Sequence, residues 1–398
     1  MKIHVPLAKR FVLAAFAALL LLYSGAPAQT TESNTPRTID RPLNLLVLGD
    51  SISWGQGLKD EHKAWYLVKS WLQQNTGREV RERIEAHSGA VIGTPNQSEQ
   101  ISLSDLNGEL SRAYPTIHGQ VDHALKMYAD PASVDLVIVD GCINDLDSRR
   151  LLNAANTPDG IRELAQAKCG PPVEALLMRI TDAFPNAHVV ITGYYPILSE
   201  KSANDFFMRA LAKRFYSPEA GAPKTNDRAL RARLIAISRE WYHTSDQMLS
   251  AAARKADAQL QARGSRPRVL FADAGFTPEQ SFAAKHSRLW GFDASALRKL
   301  LVVFTLGRVQ LRANDERRSQ RGELCNALLL PPLSESPEQK MMREDRLLRC
   351  RLAAVGHPNR KGAAMYADAI GNLLKPLLAN SGWIKDPSAG TTSIAPQR

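Results

Sequence analysis

The sequence predicts an α/β fold in three α/β/α layers, with helices on both faces of a parallel sheet of about five strands. Three observations carry that expectation. Short, nearly continuous apolar runs such as Val134-Asp-Leu-Val-Ile-Val139 and Ala187-His-Val-Val-Ile-Thr192 recur along the chain. They lack the alternation of a half-exposed strand, so both faces are expected to be buried. Segments with apolar residues at helical spacing stand between them, and strand–helix alternation of this kind gives a parallel sheet.

The first strand is expected at Leu45 to Leu48. Trp65, Val68, Trp71 and Leu72 mark one face of a helix that Gly77 ends, and Val80 to Ala86 is the second strand. Val134 to Val139 is the third. A helix over Val173 to Phe184 opens after Pro171-Pro172, and Ala187 to Thr192 follows as the fourth strand. A long helix runs from about Asp227 to Ala262, with Leu230, Leu234, Ile237, Trp241 and Met248 as its buried stripe. Val269 to Ala272 makes the fifth strand, and the last helix spans Arg360 to about Leu378. In such a sheet, ligands bind beyond the carboxyl ends of the strands.

Residues 280–349 are the least regular. An apolar piece, Leu297 to Leu311, precedes a dense charged segment from Arg312 to Glu323. The region reads as a helical insertion before the last helix, either a substrate lid or a subdomain packed on the core.

The N-terminus has the pattern of a signal peptide over residues 1–28. Lys2, Lys9 and Arg10 precede an uncharged run from Phe11 to Tyr23 that is too short to span a bilayer, and Ala26-Pro27-Ala28 supplies a cleavage signal. Export to a periplasmic or extracellular space follows, with cleavage near Ala28. Residues 29–42 are expected to be a linker, 43–380 the folded domain, and 381–398 a disordered tail rich in Ser, Thr, Pro and Gly. Loss of Lys2, Lys9 and Arg10 lowers the net charge from +11 to +8. The excess is spread along the chain without interleaved aromatic residues, which argues against a nucleic-acid partner. Peripheral contact with an anionic surface is left open, and a monomer is expected. Cys142, Cys169, Cys325 and Cys350 suit disulfides in an oxidising compartment. Three pairings exist, and the nearest-neighbour one joins Cys142 to Cys169 and Cys325 to Cys350. No spacing suggests zinc, and neither a metal nor another cofactor is expected.

The chemistry starts at Ser51. It follows the first strand directly, in Gly49-Asp50-Ser51, so a tight turn presents it at the active edge of the sheet. No Gly-x-Ser-x-Gly occurs, which excludes the elbow of the α/β-hydrolases. After the second strand comes His87-Ser88-Gly89-Ala90, after the third Asp140-Gly-Cys-Ile-Asn144-Asp145, and before the last helix Val355-Gly-His357-Pro-Asn359.

These four blocks, in this order from Leu45 to about Leu378, resemble the SGNH (GDSL) hydrolase family and a secreted esterase- and lipase-like subgroup of it. The resemblance implies a flavodoxin-like sheet and ester hydrolysis through an acyl-enzyme on Ser51. His357 would be the base, and the oxyanion would be held by the Ser51 and Gly89 N–H groups and the Asn144 amide. The substrate would be a small-molecule, lipid or acylated-glycan ester; acyl transfer to an acceptor, and binding to carbohydrate or cell wall without catalysis, are the alternatives. Two positions depart from the family pattern. Cys142 stands where the family usually has glycine. Ala354 replaces the acid expected three residues before the histidine, so His357 is expected to be oriented by the Ala354 backbone carbonyl, with Asp145 and Asp345 as alternatives.

Overall fold

The computed structural model describes residues 41–95, 107–218, 226–293, 311–332, 334–380 and Trp383. The expected signal peptide, most of the linker, nearly all of the apolar piece at 297–311 and most of the tail lie outside these residues.

Five parallel strands, β1 (Leu43–Val47), β2 (Val80–Ile84), β3 (Val134–Val139), β4 (His188–Thr192) and β5 (Val269–Ala272), form one sheet in the order β2-β1-β3-β4-β5. The helices are α1 (Ser51–Trp54), α2 (Ala64–Thr76), α3 (Ile117–Met127), α4 (Pro158–Cys169), α5 (Pro171–Ala183), α6 (Phe206–Phe215), α7 (Asp227–Ala262), α8 (Arg318–Leu328), α9 (Pro337–Arg351) and α10 (Arg360–Asn380). The long helix α7 has the expected bounds, and Gly77 ends α2 in the left-handed conformation (φ 65°).

Side-chain alternation along β1 divides the core. Leu43, Leu45 and Val47 face Trp65, Val68 and Leu72 of α2 and Ile370 and Leu374 of α10. Leu46 and the residue after the strand, Leu48, face the opposite layer, where Val121, Leu177, Ile180, Ile237 and Trp241 come from α3, α5 and α7. Three layers result. The stripe of α7 is shifted slightly from expectation: Leu249 is fully buried, whereas Met248 lies at its margin. The fold takes in part of the expected linker, because the Arg41 guanidinium pairs with Asp135 at 2.6 Å. Asp135 also accepts the Asn44 N–H at 2.9 Å, and the β1–β3 register shifts at that point.

The strand order reverses at β1, whose neighbours are β2 and β3. The crevice at such a reversal opens beyond the carboxyl ends of β1 and β3, where Ser51 and the Asp140–Asp145 loop lie. Part of the 280–349 region belongs to the core, since Phe282 and Leu289 are buried in it. Helices α8 and α9 form a pair closed by the Cys325–Cys350 disulfide, and Cys142 is bonded to Cys169. No helix among the described residues is long and apolar enough to cross a membrane.

Candidate active site

Ser51 opens α1, and its turn is held from three sides. Gly49 has φ 123°, and a Cβ there would lie 1.8 Å from Asp140 Oδ1, so only glycine lets the strand end pass this carboxyl. The Gln120 amide clamps the same peptide, accepting the Gly49 N–H at 2.7 Å and donating to its carbonyl at 2.9 Å. Asp50 caps α1 by accepting the Ile52 N–H at 2.9 Å.

The other three blocks meet this turn. His357 Nε2 lies 2.8 Å from Ser51 Oγ, although 306 positions separate them in sequence. The His87 N–H donates to the Gly49 carbonyl at 3.0 Å, bringing the Gly89 loop beside Ser51. Gly89 has φ 81°, and a Cβ would strike the Arg112 backbone N at 2.7 Å, so a close passage of two chains requires glycine here. Asn144 Nδ2 donates to the Ala90 carbonyl at 3.0 Å, which joins the third block to the second and leaves its other N–H for a second acceptor. Ser51, Gly89, Asn144 and His357 thus belong to one connected cluster.

His357 is held by its backbone. Its carbonyl accepts the Trp290 N–H at 2.7 Å, its own N–H donates to Ala354 at 3.0 Å, and the Tyr195 hydroxyl fixes the preceding Gly356 carbonyl at 2.9 Å. Asn359 caps α10, its Oδ1 accepting the Lys361 and Gly362 N–H groups at 3.0 and 3.2 Å. Among the described residues no carboxylate is bonded to the ring. Asp145 instead accepts the Ile92 N–H, and Asp345 pairs with Arg349 on the surface of α9. Nδ1 is buried without a well-aligned hydrogen bond, and the carbonyls of Ala354, Val355 and Ala353 are the groups that favour its proton. Burial, with a smaller contribution from the Arg321 charge, outweighs them and lowers the His357 pKa to about 4. The imidazole is therefore neutral at ordinary pH. Donors are expected on Nδ1 and the lone pair on Nε2, facing Ser51.

Several site residues were not legible in the sequence. Gln120, Asp140, Tyr194 and Tyr195 come from α3 and from the carboxyl ends of β3 and β4. For Asp140, a polar residue directly after a buried strand was the available signal. Arg321 lies in the dense charged segment from Arg312 to Glu323, yet it is fully buried, donating to Glu109 Oε1 at 2.7 Å and pairing with both Asp315 oxygens. Glu109 also accepts from Trp54 Nε1 and Gln56 Nε2, which follow Ser51 on the chain.

Among solved structures the chain is similar to an extracellular lipase from Streptomyces rimosus (16% identity, 62% of this chain and 87% of that one, TM-score 0.37). It is also similar to a phospholipase A1 from Streptomyces albidoflavus (12% identity, 64% and 90%, TM-score 0.37) and to an aryl esterase from M. smegmatis (14% identity, 58% and 84%, TM-score 0.29). No curated protein matches. The GDSL-like lipase/acylhydrolase family matches residues 47–291, a span that includes Ser51, Gly89 and Asn144 and stops before His357. With that match over more than half its length and a five-stranded parallel sheet beneath it, the chain belongs to the GDSL-like lipase/acylhydrolase family and is a carboxylic ester hydrolase acting on small-molecule esters.

Proposed function

We propose that the chain is an exported hydrolase that cleaves lipid, acyl-sugar or acetyl esters through an acyl-enzyme on Ser51, with His357 as the sole proton acceptor. The 2.8 Å contact between His357 Nε2 and Ser51 Oγ carries this reading. As Ser51 Oγ attacks the ester carbonyl, its proton passes to Nε2, and the alcohol leaves with that proton. Water then gives a proton to His357 and attacks the acyl-enzyme, releasing the acid and restoring Ser51. The Ser51 and Gly89 N–H groups and the second Asn144 N–H meet the oxyanion. The backbone carbonyls around Ala354 take the place of the family's acid, so the pair is a dyad. Export is supported by the signal-peptide pattern of residues 1–28 and by both disulfides. We read the described helix that carries Arg321 as a wall rather than a lid, because buried Arg321 anchors it to Glu109 beside the Ser51 loop.

Incubation with a fluorophosphonate, followed by peptide mapping, should place the label on Ser51, and esters from acetyl to long acyl should be hydrolysed by the same preparation. A label elsewhere, with Ser51 unmodified, removes the assignment. Asn144→Ala should lower kcat by about 10²–10³-fold, the usual loss for one oxyanion donor.

The pH profile follows from the depressed His357 pKa. For the free enzyme kcat/KM should rise with pH through about 4, well below the value of about 6.5 for an unshifted imidazole. Folded His357 binds its proton more weakly than unfolded His357, so its stabilising contribution is complete above about pH 6.5. It is lost as pH falls through about 4. An acid limb centred near pH 6.5 would show that the ring is solvated or paired with an acid.

A further inference from the structure

Beneath Ser51 lie three buried polar side chains that the proposed proton transfers do not use: Asp50, Asp140 and Tyr194. They come from the carboxyl ends of β1, β3 and β4, so the sheet brings together residues far apart in sequence. Asp140 accepts the N–H groups of Asp50 and Ser53 at 2.6 and 2.9 Å, on either side of the nucleophile. Asp50 accepts the Ile52 N–H through one oxygen and the Tyr194 hydroxyl through the other, at 3.0 Å. The Tyr194 oxygen in turn accepts the Ile143 N–H at 3.2 Å. Ile143 immediately precedes Asn144. One phenol therefore links the turn that carries the nucleophile to the loop that carries the amide donor.

The oxyanion loop needs such a tie. Cys142 has φ 109°, a backbone conformation that L residues rarely adopt and that persists only where the surroundings enforce it. Its disulfide to Cys169 restrains one side of the residue, and the Tyr194 hydroxyl holds the peptide that follows. The Tyr194 ring is itself fixed against Trp241 of α7, with centroids 5.1 Å apart. Burial, with the nearby Asp50 and Asp140 charges, raises the Tyr194 pKa well above its ordinary value, so the phenol keeps the proton it donates. The two carboxyls are both raised by burial, Asp140 strongly and further by the Asp50 charge beside it.

We propose that Tyr194 is a positioning residue whose hydroxyl, through Asp50, holds the Asn144 loop at its working distance from Ser51. The proposal rests on the reading of Ser51 as nucleophile and Asn144 as oxyanion donor. Tyr194→Phe removes one oxygen and keeps the ring packed on Trp241. It leaves Asp50 Oδ2 and the Ile143 N–H to find other partners, and the loop is then free to drift from the nucleophile.

The expected result for Tyr194→Phe is a kcat about 10–100-fold lower at unchanged KM, the loss typical of a misplaced catalytic group. In an Asn144→Ala background the same substitution should change kcat by less than about 3-fold, because both act on one oxyanion contact. A merely structural hydroxyl would lower the unfolding midpoint and leave kcat per titrated active site unchanged. That outcome, or additive losses in the double variant, overturns the proposal. Parent kinetics in Tyr194→Phe, with Ser51→Ala and Asn144→Ala both impaired, sinks the positioning role alone; parent activity in Ser51→Ala sinks the functional reading beneath it. Amide hydrogen exchange on the unmodified protein tests the tie without any variant. The Ile143 amide should be protected, and exchange at the rate of an open loop would overturn the proposal.

Discussion

Ser51→Ala is expected to lower kcat by about 10⁴–10⁶-fold toward an activated ester, with KM little changed. The size follows from what remains. Without Oγ no acyl-enzyme forms, and His357 keeps its lone pair but has no proton to take. The amide donors can still meet the oxyanion, so water attacks the carbonyl directly, only at the rate that binding and electrostatics alone support. Ser51 is 6% exposed, and alanine fits the same turn, because the bonds that hold it come from neighbouring peptides. The loss should therefore appear in kcat and leave the unfolding midpoint close to the parent's. A p-nitrophenyl ester assay with burst kinetics checks this. The parent burst reports acyl-enzyme, and the variant should show none. Near-parent turnover in material free of contaminating enzyme would remove Ser51 from the chemistry.

Arg321→Met should lower stability to unfolding by about 3–5 kcal/mol, the range for a buried ion pair that loses one partner. Arg321 is fully buried and serves two carboxylates, with Asp315 also almost completely buried and Glu109 2% exposed. Burial alone would make the guanidinium easier to deprotonate, but Asp315 and Glu109 more than reverse this and raise its pKa. Without that charge both acids face a dry interior. Glu109 is already raised by burial, and it should rise further and take up a proton. The sign with pH follows: Arg321→Met should be least stable at high pH and recover as pH falls toward the carboxylate range. Denaturant melts across that range measure it directly. Replacing the charges together, as Glu109→Gln, Asp315→Leu and Arg321→Met, should regain most of the loss, since a buried pair and an apolar cluster of similar volume are often close in stability. A single variant within about 0.5 kcal/mol of the parent would mean that the cluster is solvated. Activity should also fall, because the Gly57 carbonyl accepts the Glu316 and Arg317 N–H groups six residues after Ser51.

The sequence by itself determined the layered fold, the positions of all five strands to within a few residues, and the order in which the four motif blocks occur. Those features are local: period and run length of apolar residues report burial on one or both faces, and Gly77 and Asn359 end or start helices by bonds to nearby peptides. It left three cysteine pairings open, and the structure selects the nearest-neighbour one. The tertiary structure decided what depends on chain segments far apart. It brought His357 to Ser51, placed both alternative acids away from the imidazole, and left backbone carbonyls beside Nδ1. It buried Arg321 out of a densely charged segment. It also joined Asp50, Tyr194 and Ile143 across three strand ends. Composition and spacing carry no information on such contacts, because a charge or a hydroxyl looks the same in sequence whether water or a distant partner satisfies it. In a parallel sheet the partners arrive from different crossovers, and only the closed fold shows which of them meet.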